Sequence, residues 1–194
     1  MKLYFVRHGQ SEANLKKIHC GWSDVSLTEQ GTADAESAGN LLRGIAFDKV
    51  YTSDLRRVVQ TADIALPGYE KERTPLLREI SLGKLAGRTP KDCLEEYGEP
   101  YLQRKAVHDF TAFGGEDYDA HVKRTKEFLD MVAGREDDTV AVFCHEGTIK
   151  CVLDIALQIG HEISFKNILC CNGSVSVFEY EDENWRLCQW NLTE

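Results

Sequence analysis

Apolar runs of strand length alternate along this chain with segments whose apolar positions recur at a helical period. Leu3 to Val6, Val50 to Tyr51, Val140 to Cys144, Ser174 to Tyr180 and Trp185 to Trp190 read as buried strands. Helical periodicity covers Thr28 to Arg43, Leu55 to Ala65, Thr89 to Val107, Asp117 to Val132 and Thr148 to Ile159. Such alternation predicts an α/β fold, a three-layer sandwich in which a mostly parallel central sheet is flanked by helices. The turn-like Asp182-Glu183-Asn184 separates the last two strands and predicts a closing antiparallel hairpin. Thr89-Pro90 supplies an N-cap hydroxyl followed by proline at the first helical position. From there the chain shows helical fragments and the aromatics Tyr97, Tyr101, Phe110 and Phe113, but no strand. The expectation is a helical cover insertion over about residues 88–115, lying across one sheet edge, where substrate specificity is often built. With no internal repeat, low-complexity tract or linker, residues 1–194 read as a single domain.

Composition narrows the partners. The net charge of −9 opposes attraction to nucleic acid or anionic membrane surfaces, and no basic stripe interrupts it. No apolar run reaches bilayer-spanning length, and Met1 to Val6 lacks the pattern of a secretory signal, so a cytoplasmic location is expected. The seven cysteines form no C-x-x-C pair and read as reduced thiols, several of them small hydrophobes on apolar faces.

The candidate chemistry lies just after the strands. In open parallel sheets, ligands bind beyond the carboxyl ends of the strands. The first strand delivers Arg7 and His8 there, "VAVFCHEGT" delivers His145, and "YTSDLRRVVQTA" brings Ser53, Arg56 and Arg57 to a helix start. Three strand ends with cationic or imidazole groups, together with helix N-termini, describe a small phosphate pocket.

These residues resemble the histidine phosphatases of the phosphoglycerate-mutase-like branch, in particular the alpha-ribazole and broad-specificity phosphatases. The opening motif R-H-G-x-[ST]-x-x-N stands as Arg7 to Asn14, and a G-x-x-D-x-x-L-T-x-x-G stretch as Gly21 to Gly31. Ser53 to Ala62 is similar to the family's S-x-L-x-R-x-x-Q-T-A helix start. Leu77 to Gly87 is similar to its acid-bearing segment, and Gly114 to Asp117 with Arg124 and "CHEG" complete the set. Two positions depart from the pattern: Glu146 stands where glycine is more frequent, and Lys150 where arginine is.

The resemblance implies His8 as a nucleophile that takes the phosphoryl group as phosphohistidine, chemistry open to a neutral imidazole whose other nitrogen is held as a donor. Arg7, Arg56 and His145 are expected to stabilise charge on the transferring group, and Arg57 to be a surface ion-pair residue. Glu79 is expected to protonate the leaving alkoxide and then deprotonate water, with Glu12 and Glu116 as rival acids; Glu116 is also assigned a helix-start role, accepting amides or pairing with Arg124. Substrate-binding roles fall to Ser11, Asn14, Gly21, Trp22 and Glu146, the last through backbone amides with its side chain turned away. His19, His108, His121 and His161 read as surface or packing residues, with substrate contact kept as an alternative for His108 in the cover. No Asp/His ligand cluster and no H-E-x-x-H appears, so neither metal nor cofactor is expected.

The expected substrate is a small phosphorylated metabolite. Two alternatives are a 2,3-bisphosphoglycerate-dependent mutase and a catalytically weak module that only binds phospho-ligands. Against the mutase, Arg88 to Phe113 carries four basic residues (Arg88, Lys91, Arg104, Lys105) and five acidic ones, with no surplus for a second anionic group.

Overall fold

The computed structural model describes residues 1–194. Its strands are β1 (Lys2–Arg7), β2 (Lys49–Ser53), β3 (Glu72–Thr74), β4 (Thr139–Cys144), β5 (Val175–Glu181) and β6 (Asn184–Leu192). They form one six-stranded sheet in the order β3-β2-β4-β1-β5-β6. The pairs β2/β3, β2/β4 and β1/β4 are parallel, and β5 runs antiparallel to both β1 and β6.

Period-two alternation along the central strands feeds two cores. Val140 and Val142 of β4 join Leu3, Phe5, Tyr51 and Phe128 on one side of the sheet, while Ala141 and Phe143 join Val6, Val50, Val58 and Ala62 on the other. Helices close both layers: α2 (Glu29–Leu41) and α3 (Arg56–Ala65) on one side, α6 (Tyr118–Ala133) and α7 (Glu146–Leu157) on the other. Local capping explains where they begin. Thr28 accepts the Gly31 amide at the start of α2, and Asp117 accepts the Ala120 amide at the start of α6.

Four features differ from the sequence expectation. The Thr89 to Val107 segment is two helices, α4 (Pro90–Tyr97) and α5 (Glu99–Ala106), because Gly98 turns at φ 59° and Pro100 opens the second. The three residues of β3 and the five of α1 (Glu12–Lys16) are too short to carry a periodicity. The helix α8 (His161–Asn167) follows Gly160, whose φ of 81° separates it from α7.

The segment from α4 through a 3-10 turn at Thr111–Phe113 has its own small core of Cys93, Tyr101, Phe110 and Phe113, packed on Ile80, Leu82 and Leu85. It covers the carboxyl-end side of the sheet, where Tyr101 Oη meets His19 Nε2 at 2.7 Å. No helix is long and apolar enough to cross a membrane.

Candidate active site

The strands β2, β4 and β1 are neighbours in the sheet and parallel, so the residues that follow them converge. His8, Arg57 and His145 meet there. His8 is 5% exposed and His145 fully buried, their rings 5.2 Å apart.

Arg57 lies between the two imidazoles. Its Nε donates to His8 Nε2 at 3.3 Å, one terminal nitrogen donates both to His145 Nδ1 at 3.1 Å and to the Gly21 carbonyl at 2.9 Å, and the other donates to the Ser23 carbonyl at 2.9 Å. This corrects the expectation for Arg56. Arg56 is more than half exposed and pairs with Asp24 at 3.0 Å, so it stands outside the pocket. The reason is helical: Arg57, Val58, Thr61, Ala62 and Ala65 form the buried stripe of α3, and Arg56 lies off it. Two signals in the sequence favour Arg57: that stripe, and the S-x-L-x-R motif, whose arginine falls on position 57 when Ser53 and Leu55 are aligned.

Hydrogen bonds set the tautomers. His8 Nδ1 donates to the Gly9 carbonyl at 2.7 Å, leaving the Nε2 lone pair toward Arg57. His145 Nε2 is 3.0 Å from Ser53 Oγ, and its Nδ1 receives the Arg57 hydrogen bond. Burial first, then the Arg57 charge, push both imidazoles well below their ordinary pKa. Both are therefore neutral near pH 7. For His8 that is the nucleophilic form; for His145 it is the form that accepts the Arg57 hydrogen bond at Nδ1.

Glu79 is held by two amides, its oxygens accepting from Ile80 at 2.9 Å and Gly147 at 3.1 Å. Burial, opposed by those amides, raises its carboxyl above the usual range, with the nearby Glu146 charge adding to the rise. The segment bearing it is pinned from outside the pocket. Arg124 donates to the carbonyls of Leu76, Arg78 and Glu79, and pairs with Glu116, which accepts the Ser81 amide at 2.9 Å. Glu116 thus works at a distance from the cavity. Glu12 is exposed, paired with Lys16, and away from it.

A cavity of about 340 Å³ opens on Arg7, His8, Arg57 and Glu79, while His145, fully buried, touches Arg57 without lining it. Ser11, Asn14 and Gly21 line it; Ser11 and Asn14 are also tied to each other, Ser11 Oγ lying 2.8 Å from Asn14 Oδ1 in the capping box of α1. Trp22 is not part of the wall. Its indole donates to the Glu79 carbonyl at 2.6 Å and its ring stacks under Arg78, so it braces the Glu79 segment from the exposed side.

The expectation for Glu146 is corrected in part: its side chain faces the cavity, 3.1 Å from Arg7 and 2.7 Å from Lys150. His19, Lys105, Lys150 and Phe165 also line the cavity with no site role expected from the sequence, and His108, whose alternative reading was substrate contact, lines it too. His108 came from the cover and Phe165 from α8, a meeting that only tertiary packing creates. No group of three or more His, Cys, Asp or Glu side chains is arranged to hold a metal ion.

Known proteins resemble this chain in sequence and in fold. The model of the histidine phosphatase superfamily (branch 1) matches residues 3–193. A 2,3-bisphosphoglycerate-dependent phosphoglycerate mutase of Xanthobacter autotrophicus is 35% identical over 165 residues, 78% of this chain and 78% of that enzyme. One from Streptococcus thermophilus is 40% identical over 141 residues, and the match takes in 67% of this chain but 61% of that enzyme's length. The crystal structure of the alpha-ribazole phosphatase from Shigella flexneri superposes with a TM-score of 0.91 at 23% identity, over 99% of this chain and 96% of that one, a likeness of fold.

Proposed function

The chain belongs to the histidine phosphatase superfamily, branch 1, and from that premise we propose that it hydrolyses small phosphomonoesters through a phosphohistidine on His8. The observation that carries the reading is the state of His8: neutral, with Nδ1 committed to the Gly9 carbonyl and the Nε2 lone pair presented beside Arg57.

In the proposed first step His8 Nε2 attacks phosphorus in line. The P–N bond forms as the bond to the ester oxygen breaks, and the departing alkoxide takes a proton from Glu79. Arg57 turns its Nε–H from the imidazole to a phosphoryl oxygen, and Arg7 adds a second guanidinium, where stabilisation of the transferring group matters most. In the second step water loses its proton to the ionised Glu79 and attacks phosphorus; the P–N bond breaks and orthophosphate leaves. The raised pKa of Glu79 suits it to give a proton and then accept one near neutral pH. No step requires a metal ion.

Transfer to a second hydroxyl of the substrate is the alternative, favoured by the mutase names of relatives at 35% and 40% identity. Charge in the cover bears on the choice. Arg88 pairs with Glu96, Lys91 with Glu95 and Arg104 with Asp109, which leaves Lys105 as the cover's cation at the cavity wall. The deciding experiment supplies a panel of phosphorylated metabolites with chelator present, and separately 3-phosphoglycerate with catalytic 2,3-bisphosphoglycerate. Phosphate release exceeding isomer formation supports the phosphatase. Interconversion faster than every hydrolysis establishes the mutase, and no turnover on either arm leaves only phospho-ligand binding.

A further inference from the structure

The wall of this cavity carries a carboxylate where a phosphate pocket has no evident use for one. Glu146 opens α7, directly after His145, and its side chain is 36% exposed, turned into the cavity. One oxygen lies 3.1 Å from a terminal nitrogen of Arg7 and the other 2.7 Å from Lys150 Nζ. Both partners are largely removed from water, the Arg7 side chain 13% exposed and the Lys150 side chain 5%.

Neither cation has another carboxylate to answer it. The same terminal nitrogen of Arg7 that meets Glu146 also donates to the Cys170 carbonyl, while its Nε is buried without a hydrogen-bond partner. Lys150 has one further contact, the Phe165 carbonyl at 3.3 Å. An unpaired guanidinium and an unpaired ammonium at this depth are costly, and a carboxylate between them removes the cost. Glu146 therefore does in the empty site what a bound phosphoryl group does in the occupied one.

Resting on the phosphatase reading, we infer that Glu146 is an internal anion that holds Arg7 and Lys150 while the pocket is empty and competes with the phosphoryl group for Arg7. A phosphate dianion reaching Arg7 meets this carboxylate at short range, where like charges repel strongly. Glu146 must then retire onto Lys150, and the same pairing pulls Arg7 back as orthophosphate departs. Affinity for free phosphate is lowered, and product leaves readily. An ester regains part of the loss through contacts of its alcohol portion with the outer wall, where His19, Lys105 and Phe110 offer surface.

The test is calorimetric titration of orthophosphate into wild type, Glu146→Gln and Glu146→Ala at one ionic strength, with product inhibition by phosphate measured on the same proteins. Both variants are expected to bind phosphate about tenfold more tightly or better, a gain of about 1.4 kcal/mol, and to show product inhibition stronger by the same factor. Two substitutions are needed because the Gln amide could itself donate to phosphate. Tightening in the Gln variant alone would trace to that new donor and overturn the inference. Unchanged or weaker binding in both variants, with wild type binding phosphate measurably, overturns it while leaving the phosphatase reading intact. Failure of all three proteins to bind phosphate sinks both.

Discussion

Arg56 and Arg57 differ by one position and by the roughly 100° that one residue adds around a helix, and this angle separates a solvent ion pair from the centre of the site. Arg57→Ala removes the donor shared by His8 and His145, and turnover is expected to fall by about 10²–10³, the usual cost of losing one preorganised donor to developing charge. Arg56→Ala opens only the exposed contact with Asp24, and kcat/KM should change less than about threefold. Steady-state assays of the two variants check this, and an equal loss in both would return Arg56 to the site. Glu79→Gln keeps the shape of Glu79 and can keep one of its two amide contacts, since only the Gln oxygen accepts, but it cannot shuttle a proton. Alkyl phosphates should lose about 10²–10⁴ in rate, and activated aryl phosphates such as p-nitrophenyl phosphate much less. Equal losses for the two leaving groups would assign proton transfer to another acid.

Packing of whole elements holds these residues in register, and glycines mark the closest approaches. A Cβ on Gly147, in the first turn of α7, would stand 2.1 Å from Glu79 Oε1. Gly147→Ala is therefore expected to fold, because a side-chain tip can shift, yet to displace the carboxyl and lower the rate for alkyl phosphates about tenfold or more. Near-normal activity would show that the placement of Glu79 matters little.

Helix α6 contributes a different dependence through His121, fully buried against Thr148 and pushed down to about 3 by burial and then by Arg124. Its pKa in the unfolded chain is about 6.5. The unfolded state thus takes up a proton that the folded state refuses, and stability falls as pH drops below about 6.5. Its share of the slope reaches about 1.4 kcal/mol per pH unit. His8, His145 and His108 act in the same direction, each lowered chiefly by burial. Urea unfolding between pH 7 and 5 should show stability declining toward acid, and His121→Gln should reduce the slope by about one such increment. An unchanged slope would mean that His121 is protonated in the folded protein.

The chain as a whole places its parallel strands β2, β4 and β1 side by side, and the site follows from that order. Much of it was readable in advance. Val140 to Cys144 and Leu3 to Val6 are continuous apolar runs, so the buried parallel strands and the histidines after them announced themselves. His8 and His145 come together through Arg57 for that reason, whereas Glu79, in a loop beyond β3, was readable only from its motif. Arg57 was equally legible, because with Ser53 and Leu55 aligned the arginine of the S-x-L-x-R motif falls on position 57 and the buried stripe of α3 includes the same residue; expecting Arg56 placed that motif one residue early.

Other contributions were not legible. His108 reaches the cavity only because Gly98 breaks the cover into two helices, and Phe165 only because a seven-residue helix packs beside it. Charge counted along the cover missed that three of its four basic residues are paired locally and one is not at issue in those pairs, namely Lys105.

The central claim is that the phosphoryl group passes through His8. Rapid quenching during turnover, followed by peptide mass spectrometry under alkaline conditions, tests it most directly. The account predicts acid-labile, base-stable phosphate on the peptide containing Arg7 to Asn14, located at His8 and lost, together with turnover, in His8→Ala. Phosphate trapped on a cysteine, or undiminished turnover in His8→Ala, would contradict it.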